Sequence, residues 1–466
     1  MSIRALPLLA MLAAVVLAAP LGAQPKPAAP SQRGSPRLMQ GPMLGAVEGD
    51  GARLWVRLSG PYAINIGYGE RPDALDRRSA TVTARAEDDY TAIVRLEGLA
   101  PGRTYYYGAI EIDGRSPKSL ARRPATPFRT APAGPARFTV GFGSCAKSAD
   151  DDVQPVWRQV SLLNPDLFLW LGDNVYANAV VPQIIAEEYR RQREITLRYP
   201  ALRSIPQLAV WDDHDFGVGD GDRTNPVREG ALTVFRQYWA NPAGGLPDTP
   251  GVFFHYAYGG VDFFFLDERY YRDPAVLPDT PAKTILGPAQ REWLRRGLKA
   301  SRAPFKVLAG GSGWTDLRGP AGDSWAAYLA ERAALFDFIR DENITGVLLL
   351  SGDMHQGQVN VIRRSEAGAY DLVEFVSSPL ATENYTSSYT SPNEPGLRVP
   401  YSGGNNFGHL TFDLTAPDPT VTFQLYDAYG IGAYVPVRIR ASQLRNGVSL
   451  WRELMDPALR AQHGLR

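Results

Sequence analysis

The sequence predicts an α/β fold, in which a layered α/β domain follows a small all-β domain. Up to about residue 132, short stretches that alternate polar and apolar residues are separated by frequent turn signals, which is typical of antiparallel strands. From residue 137 onward, continuous apolar runs alternate with helical patterns, which indicates strands covered on both faces. The chain of 466 residues is also too long for one ordinary core, so at least two domains are expected.

Residues 35–132 are predicted to form a β-sandwich of the fibronectin or immunoglobulin type. The stretches 53–58 and 91–96 both alternate as half-buried strands do. A Pro101-Gly102 turn then leads into an aromatic strand around Tyr105. Short strands with frequent turns favour a sandwich of this size.

Residues 137–440 are predicted to form the layered α/β domain, and residues 441–466 a helical tail. Strands are expected at the apolar runs Phe138–Phe142, Asp166–Leu171, Leu208–Trp211, Val261–Leu266, Lys306–Ala309 and Gly346–Leu350. Helices are expected between them, at Gln183–Tyr199, Pro288–Ala300 and Trp325–Arg340. Further strands are expected at Leu410–Leu414 and Thr420–Tyr426.

Residues 1–23 have the features of a secretory signal peptide. Arg4 provides a basic start, the apolar run Leu6–Leu17 is too short to span a membrane, and Ala23 ends a stretch of small residues. A membrane anchor is the less favoured alternative. Residues 24–34 are rich in Pro, Ala and Ser and are predicted to be a flexible lead-in. We therefore expect a periplasmic or extracellular protein without stable membrane insertion.

The charge balance gives no electrostatic reason to expect nucleic acid as a partner. The 49 Lys and Arg residues equal the 49 Asp and Glu residues in number. Cys145 is the only cysteine, so a monomer has no disulfide. A lone cysteine is by default a small buried hydrophobe, but a free thiol in an oxidising compartment also suits a metal ligand.

Four apolar runs end in reactive side chains, and this pattern predicts a functional site. The segments that follow them are Gly143-Ser144-Cys145, Gly172-Asp173-Asn174-Val175-Tyr176, Asp212-Asp213-His214-Asp215 and Ser351-Gly352-Asp353-Met354-His355. Ligands in layered α/β folds bind beyond the carboxyl ends of the strands. We therefore expect the four segments to converge.

This set of side chains is suited to two metal ions of different hardness. Thiolate and phenolate favour a trivalent ion such as Fe³⁺, whereas carboxylates suit Ca²⁺, Mg²⁺ or Mn²⁺. Two such ions can clamp a phosphoryl group and activate a water, and a nearby histidine can protonate the leaving group. Taken singly, Asp173 suits a structural turn, Tyr176 a packed aromatic, and Asp212–Asp215 a solvated turn. The joint occurrence of the motifs favours the metal site.

Together, the motifs resemble the alkaline phosphatase D (PhoD-like) family, which is related to purple acid phosphatases and calcineurin-like metallophosphoesterases. The resemblance covers roughly residues 36–430. It also includes the segments Phe265-Leu266-Asp267-Glu268-Arg269, Leu286-Gly287-Pro288 and Asp323-Ser324-Trp325.

The resemblance implies a four-layer α/β/β/α sandwich that hydrolyses phosphate monoesters or diesters with Fe³⁺ and Ca²⁺. The residues implied for the iron are Cys145, Tyr176 and His355, with Asp173 bridging both ions and acting in catalysis. Asp213 and Asp353 are implied for the second metal, which could also be Mg²⁺ or Mn²⁺, His214 for the leaving group, and Asn174 for the phosphate. The implied substrate is a small phosphate ester, and we expect a monomer.

One departure from the family pattern concerns the second metal. Family members often have an asparagine where this chain has Gly219, and Asp220 or Asn225 could substitute for it. Phosphodiesterase or phospholipase D-type activity is the nearest alternative function. A different alternative is an exported binding protein with a structural metal, which the Gly219 departure permits.

Overall fold

The computed structural model describes residues 35–320, 322–386 and 394–465. The predicted signal peptide and flexible lead-in lie outside these residues. Within the described residues, no helix combines the length and the apolar character needed to cross a bilayer.

The N-terminal part consists of two antiparallel sheets. Its strands are β1 (Leu38–Val47), β2 (Gly51–Leu58), β3 (Ala63–Gly69), β4 (Arg77–Arg78), β5 (Val82–Thr83), β6 (Thr91–Glu97), β7 (Thr104–Ile112) and β8 (Thr126–Arg129), with the short helix α1 (Lys118–Ala121). One sheet has the order β1-β2-β6, and the other has the order β4-β3-β7-β8 with β5 paired to β3.

The remaining chain forms two six-stranded sheets and eight helices within the described residues. The strands are β9 (Arg137–Gly143), β10 (Leu167–Leu171), β11 (Gln207–Val210), β12 (Phe254–Tyr258), β13 (Val261–Phe265), β14 (Phe305–Ala309), β15 (Val347–Ser351), β16 (Gln358–Ile362), β17 (Leu372–Val376), β18 (Asn406–Asp413), β19 (Thr420–Asp427) and β20 (Val437–Arg440). The helices are α2 (Val156–Leu163), α3 (Pro182–Thr196), α4 (Asp213–Phe216), α5 (Arg228–Tyr238), α6 (Pro288–Ala300), α7 (Leu329–Asp341), α8 (Trp451–Leu454) and α9 (Pro457–Gln462).

The two large sheets have the orders β11-β10-β9-β18-β19-β20 and β12-β13-β14-β15-β17-β16. Strands β9, β10 and β11 are parallel in the first sheet, and β13, β14, β15 and β17 are parallel in the second. Their carboxyl ends therefore point the same way within each sheet, and the reactive segments follow these ends.

The two sheets pack face to face through aromatic side chains. Phe412 of β18 lies with its ring centroid 5.8 Å from Phe305 of β14 and 6.1 Å from Phe263 of β13. Phe423 of β19 stacks on Phe375 of β17 at 4.5 Å. These contacts exclude water from both inner faces.

Helices cover the outer faces of both sheets. Trp157 of α2 packs edge-on against Phe168 of β10 at 5.3 Å, and Trp293 of α6 packs against Phe264 of β13 at 5.9 Å. The layers are therefore α/β/β/α, and the predicted fold, including the N-terminal all-β region, is confirmed.

The N-terminal sheets have their own core, but one of their faces joins the core of the large sheets. Trp55 of β2 is fully buried, belongs to that larger core, and donates from Nε1 to the carbonyl of Gln237 at 2.8 Å. Residues from Pro36 onward form one compact unit. The domain boundaries predicted near residues 132 and 440 remain predictions.

Candidate metal centre

The structure brings the four reactive segments to one place. The backbone N–H of Ala146 donates to the carbonyl of Asp173 at 2.9 Å, which joins the segments after β9 and β10. The N–H of Asp353 donates to Ser144 Oγ at 3.1 Å, which joins the two sheets. The N–H of His214 donates to Asp173 Oδ1 at 3.2 Å, which adds the segment after β11. The predicted convergence is therefore present.

Four of the predicted metal ligands have backbones in the left-handed region. The φ angles are +62° for Cys145, +48° for Asp173, +61° for Asp353 and +49° for His355. Residues other than glycine adopt such angles at a cost, and they do so most often at functional sites. The backbone is therefore strained at the four positions from which these side chains extend.

The ligands predicted for iron lie together. Cys145 Sγ lies 3.5 Å from Asp173 Oδ2, and Tyr176 Oη lies 3.1 Å from His355 Nε2. Ser378 Oγ donates to Cys145 Sγ at 3.1 Å. Thiol, carboxyl, phenol and imidazole groups from both sheets thus share one buried site.

A second group of carboxylates adjoins the first. Ligand atoms of Asp173, Asp213 and His214 lie within 4.8 Å of one another, and so do those of Asp213, Asp220 and Asp323. Asp213 belongs to both groups, and the N–H of Asp220 donates to Asp213 Oδ2 at 2.6 Å.

The Asp-Asp-His-Asp segment divides into structural and site-facing residues. Asp215 accepts from the backbone N–H of Asp212 at 2.7 Å, which caps the single turn α4. Asp212 also forms a buried ion pair with Arg269 at 2.5 Å. Asp213 and His214 remain to face the site.

His214 is held by its neighbours on two sides. Its ring stacks on Tyr176 with a centroid distance of 4.1 Å, and its Nδ1 contacts Asn178 Oδ1. Because a carbonyl oxygen only accepts, Nδ1 carries the proton and Nε2 is left for chemistry.

Burial and like charges disfavour ionisation of the acidic groups. Burial, with Asp213 and Cys145 nearby, raises the pKa of Asp173 well above its usual value. Burial raises the pKa of Asp353 to about 7 and that of Cys145 to about 11. Burial also lowers the pKa of His355 to about 4. The raised pKa values of the acidic groups oppose the charged states in which they bind metal, so a bound cation would have to supply the compensation. The lowered pKa of His355 instead favours the neutral imidazole, which is the form that binds metal.

Unpaired buried atoms show that the site fits a cation. Among the described residues, Asn174 Oδ1 and Asp213 Oδ1 are buried and have no hydrogen-bond partner, although Arg269 lies 3.9 Å from Asp213 Oδ1. Both atoms are acceptors, and burying acceptors without hydrogen bonds is costly. A ligand set of thiol, phenol, imidazole and carboxyl groups therefore fits the two metals that the sequence predicted.

The structure disfavours the predicted phosphate contact of Asn174. Both amide hydrogens are used, by the carbonyl of Val210 at 2.8 Å and by Asp215 Oδ2 at 2.5 Å. The remaining Oδ1 is an acceptor, which suits a cation or its water and repels phosphate oxygens.

The two candidates for replacing the missing asparagine behave differently. The side-chain amide of Asn225 donates to the carbonyl of Phe216, and its Oδ1 accepts from the N–H of Val227. Asn225 is therefore structural. Asp220 lies in the acidic group with Asp213. A Cβ atom added at Gly219 would lie 3.8 Å from both Asp213 Oδ2 and His214 Cε1, so Gly219 borders the site.

Sequence reasoning gave no role to four charged residues beside the site, which are Arg269, Arg272, Arg318 and Asp323. Arg269 and Arg272 hold Asp323, and these arginines together with Asp212 form a buried network. Arg318 lies 2.9 Å from Asp353 Oδ2. Arg269 follows strand β13, so the rule that found the other segments could have found it, whereas no pattern marks Arg318.

The fold is that of the metallophosphoesterases. The solved structure of PhoD superposes with a TM-score of 0.68, covering 84% of this chain and 91% of that one at 19% identity. A purple acid phosphatase from yellow lupin (Lupinus luteus) seeds superposes with a TM-score of 0.59, covering 86% of this chain and 74% of that one at 12% identity. These likenesses establish the fold.

The family follows from the sequence. The model of the PhoD-like phosphatases matches residues 139–423, more than half of the chain, which therefore belongs to this family. A domain of unknown function (DUF7800) matches residues 35–130. Alkaline phosphatase D of Bacillus subtilis (strain 168) is 24% identical over 332 residues, 60% of this chain and 55% of that protein. The chain thus spans about half the length of this curated relative, and the resemblance of the motifs is confirmed.

Proposed function

We propose that this protein hydrolyses small phosphate esters at a site that holds Fe³⁺ and Ca²⁺. The observation that carries the proposal is the convergence of Cys145, Asp173, Tyr176 and His355 around unpaired buried acceptors. In this proposal Cys145, Tyr176 and His355 would hold the iron, and Asp173 would serve both ions. Asp213, Asp220 and Asp353 would complete the set for the second ion.

When bound, such a pair of ions clamps phosphoryl oxygens and lowers the pKa of a bound water. The chain's own contribution includes the proton for the leaving group. Asn178 Oδ1 accepts from Nδ1 of His214 whether the ring is neutral or charged, so the transferable proton is on Nε2. The stacked Tyr176 ring fixes the plane of the imidazole. No covalent enzyme intermediate is needed.

Arg318 supports a preference for monoesters over diesters. Its guanidinium lies 2.9 Å from Asp353 Oδ2, and its side chain is 16% exposed. A monoester carries about two negative charges at alkaline pH and a diester one, so a fixed cation favours the monoester. In the Arg318→Ala variant, kcat/KM for an aryl monoester should fall about tenfold while that for the matching diester changes little. Unchanged relative rates would remove Arg318 from this role.

We also propose that the protein works as an exported monomer in the periplasm or outside the cell. The support for export is the N-terminal sequence pattern, which has a basic start, a short apolar run and a stretch of small residues. The balanced charge of the chain gives no support for nucleic acid as a substrate.

The first test is phosphate release from an aryl phosphate monoester by the purified protein. Activity should fall on chelation and return when Fe³⁺ and Ca²⁺ are restored, and Asp173→Asn should lose both metal and activity. Asp248→Asn, an exposed aspartate, is the matched control and should behave as the wild type. A metal-loaded protein that releases phosphate from neither monoesters nor diesters would instead favour a binding protein.

A further inference from the structure

A cavity that shares no lining residue with the proposed metal ligands lies between the N-terminal sandwich and helix α5. Its volume is about 410 Å³, which is within the range of small-molecule sites. Strands β2 and β6 form one wall with Arg53, Ile93 and Arg95. Helix α5 and the segment after it form the other wall, with Arg236 and Trp239. None of these residues takes part in the proposed reaction.

Two arginines of this cavity are directly opposite each other across a strand pair. Arg53 of β2 and Arg95 of β6 are antiparallel partners in the register of the sheet. Like charges in that position destabilise a sheet unless an anion lies between or near them. Arg53 is partly compensated by Glu48 at 3.1 Å.

Arg95 has no such compensation. Within the described parts of the chain, its side chain makes neither a hydrogen bond nor an ion pair, although Glu48, Asp50 and Glu97 lie around an adjoining cavity that it also lines. An exposed cation without a carboxylate partner, opposite a second cation, is available to an external anion.

The third arginine is fixed in place by the wall of the cavity. Arg236 donates to the carbonyls of Gly244 at 3.4 Å and Gly251 at 3.3 Å, and it has no carboxylate partner among the described residues. Arg53 likewise donates to the carbonyl of Asn241 at 2.9 Å. The side-chain amide of Asn241 in turn accepts from the backbone N–H of Ala209 and donates to its carbonyl. The guanidinium groups of Arg53 and Arg236 are thus held before any ligand arrives, which lowers the entropic cost of binding.

The remaining lining is apolar and aromatic. Phe235, Trp239 and Phe254 line the cavity. Each of these side chains is almost fully buried, because most of its surface packs in the core. Three guanidinium groups therefore line the cavity beside an aromatic floor, and Glu48 pairs with one of them.

We propose that this cavity binds a small organic dianion whose charged group, a phosphate, phosphonate or dicarboxylate, lies next to a ring or other apolar portion. The arginines pair with the oxyanion and the aromatic floor receives the apolar portion. The proposal is independent of the metal site and of the reaction.

Calorimetric titration with phenylphosphonate tests the proposal, since this dianion carries a ring and has no ester to hydrolyse. The metal-loaded full chain should bind two molecules, one at the metal site and one here. Benzenesulfonate has the same shape and a single charge, and it should bind here at least about tenfold more weakly. Phthalate serves as the dicarboxylate probe, and comparison with phenylphosphonate tells which oxyanion is preferred.

Two variants locate the second molecule. Arg95→Ala and Arg236→Ala should each lose it, whereas Arg103→Ala, an exposed arginine of the same sandwich outside the cavity, should keep it. Without ligand, Arg95→Ala should melt at or above the wild-type temperature, because it removes a like-charge pair. It should also lose the rise in melting temperature that phenylphosphonate causes in the wild type. Binding that neither Arg95→Ala nor Arg236→Ala diminishes would overturn the proposal.

Discussion

Several residues of the candidate metal centre have backbone conformations that lower the stability of the fold. Cys145, Asp173, Asp353 and His355 all have left-handed backbones, each at a cost of roughly 1 kcal/mol or more. The burial that raises the pKa of Asp173 adds to this cost. Such strain persists only where surrounding bonds enforce it, as the bond from Asp353 N–H to Ser144 Oγ does. The arrangement is therefore suited to binding a cation and costly without one.

The role of His214 leads to the first prediction. His214→Ala should keep its metals, because the proposed iron ligands are elsewhere, while kcat for a monoester falls about a hundredfold or more. Metal analysis and steady-state rates measure the two effects. Substrates with a very acidic leaving group should be affected least, since they need no proton. Equal loss for all leaving groups would exclude His214 as the acid.

Gly219 leads to a second prediction, since it stands where family members often have asparagine. The space around it accommodates a Cβ atom at ordinary contact distances. Gly219→Asn should therefore fold normally and bind the second metal more tightly, by about tenfold for one added oxygen ligand. Calcium titration of the iron-loaded protein measures the affinity. An unchanged calcium affinity would mean that Asp220 already completes the site.

Lys306 leads to a prediction about pH. Burial lowers its pKa from 10.5 to about 8 in the folded state. Between these values the unfolded chain holds more protons, so stability rises with pH, by at most about 1.4 kcal/mol per pH unit. The free energy of unfolding of the wild type should thus rise relative to Lys306→Met from pH 8 to 10.5. The exposed Lys118→Met serves as the control, and a flat difference for Lys306→Met would contradict the shift.

At the scale of elements, strand ends and helix caps place the chemistry. The capped turn α4 starts directly after strand β11 and turns Asp213 and His214 toward the site. The carboxylate of Asp89 links helices α3 and α5 to the N-terminal sandwich. Asp89 accepts from Arg57 of β2, Arg190 of α3 and Tyr238 of α5.

This junction leads to a prediction about stability. Burial raises the pKa of Asp89, but the bonds from Arg57, Tyr238 and Arg190 outweigh it, so the pKa lies below its usual value. Asp89→Ala should lower the free energy of unfolding by about 2 kcal/mol at neutral pH, as judged by urea unfolding. The difference should shrink as pH falls through the folded-state pKa, because the carboxylate then gains a proton. Asp73→Ala removes only an exposed ion pair and should change little.

The whole molecule has a shared core rather than two separable ones. The face of β1 and β2 that carries Met43 and Trp55 belongs to the core of the large sheets. Arg193 of α3 also lies over the Trp55 ring at 5.5 Å. Removing the sandwich would expose this apolar surface to water.

Truncation tests this organisation. A chain of residues 133–466 should aggregate or unfold without a cooperative transition, whereas residues 36–466 should unfold in one step. Thermal unfolding followed by circular dichroism distinguishes the two. A sharp transition for the shorter chain, near that of the longer one, would contradict a shared core.

The sequence by itself determined the fold class, most elements and the segments that carry chemistry. Apolar runs and helical periods depend on local patterning, which is why α6 begins at Pro288 and ends at Ala300 as predicted. The rule that ligands follow strand ends then identified Cys145, Asp173, Asp213 and His355 without coordinates.

Only the tertiary structure decided which neighbours share the site. Arg269 follows β13, whereas Arg318 and Asp323 lie between β14 and α7. No local pattern links an arginine to a carboxylate more than thirty residues away, as in the pairs Arg269–Asp323 and Arg318–Asp353. The structure also assigned the amide of Asn174 to the protein interior, because both hydrogens already have partners. Hydrogen bonds and ion pairs between distant segments depend on how the sheets pack, and that packing is a property of the whole chain.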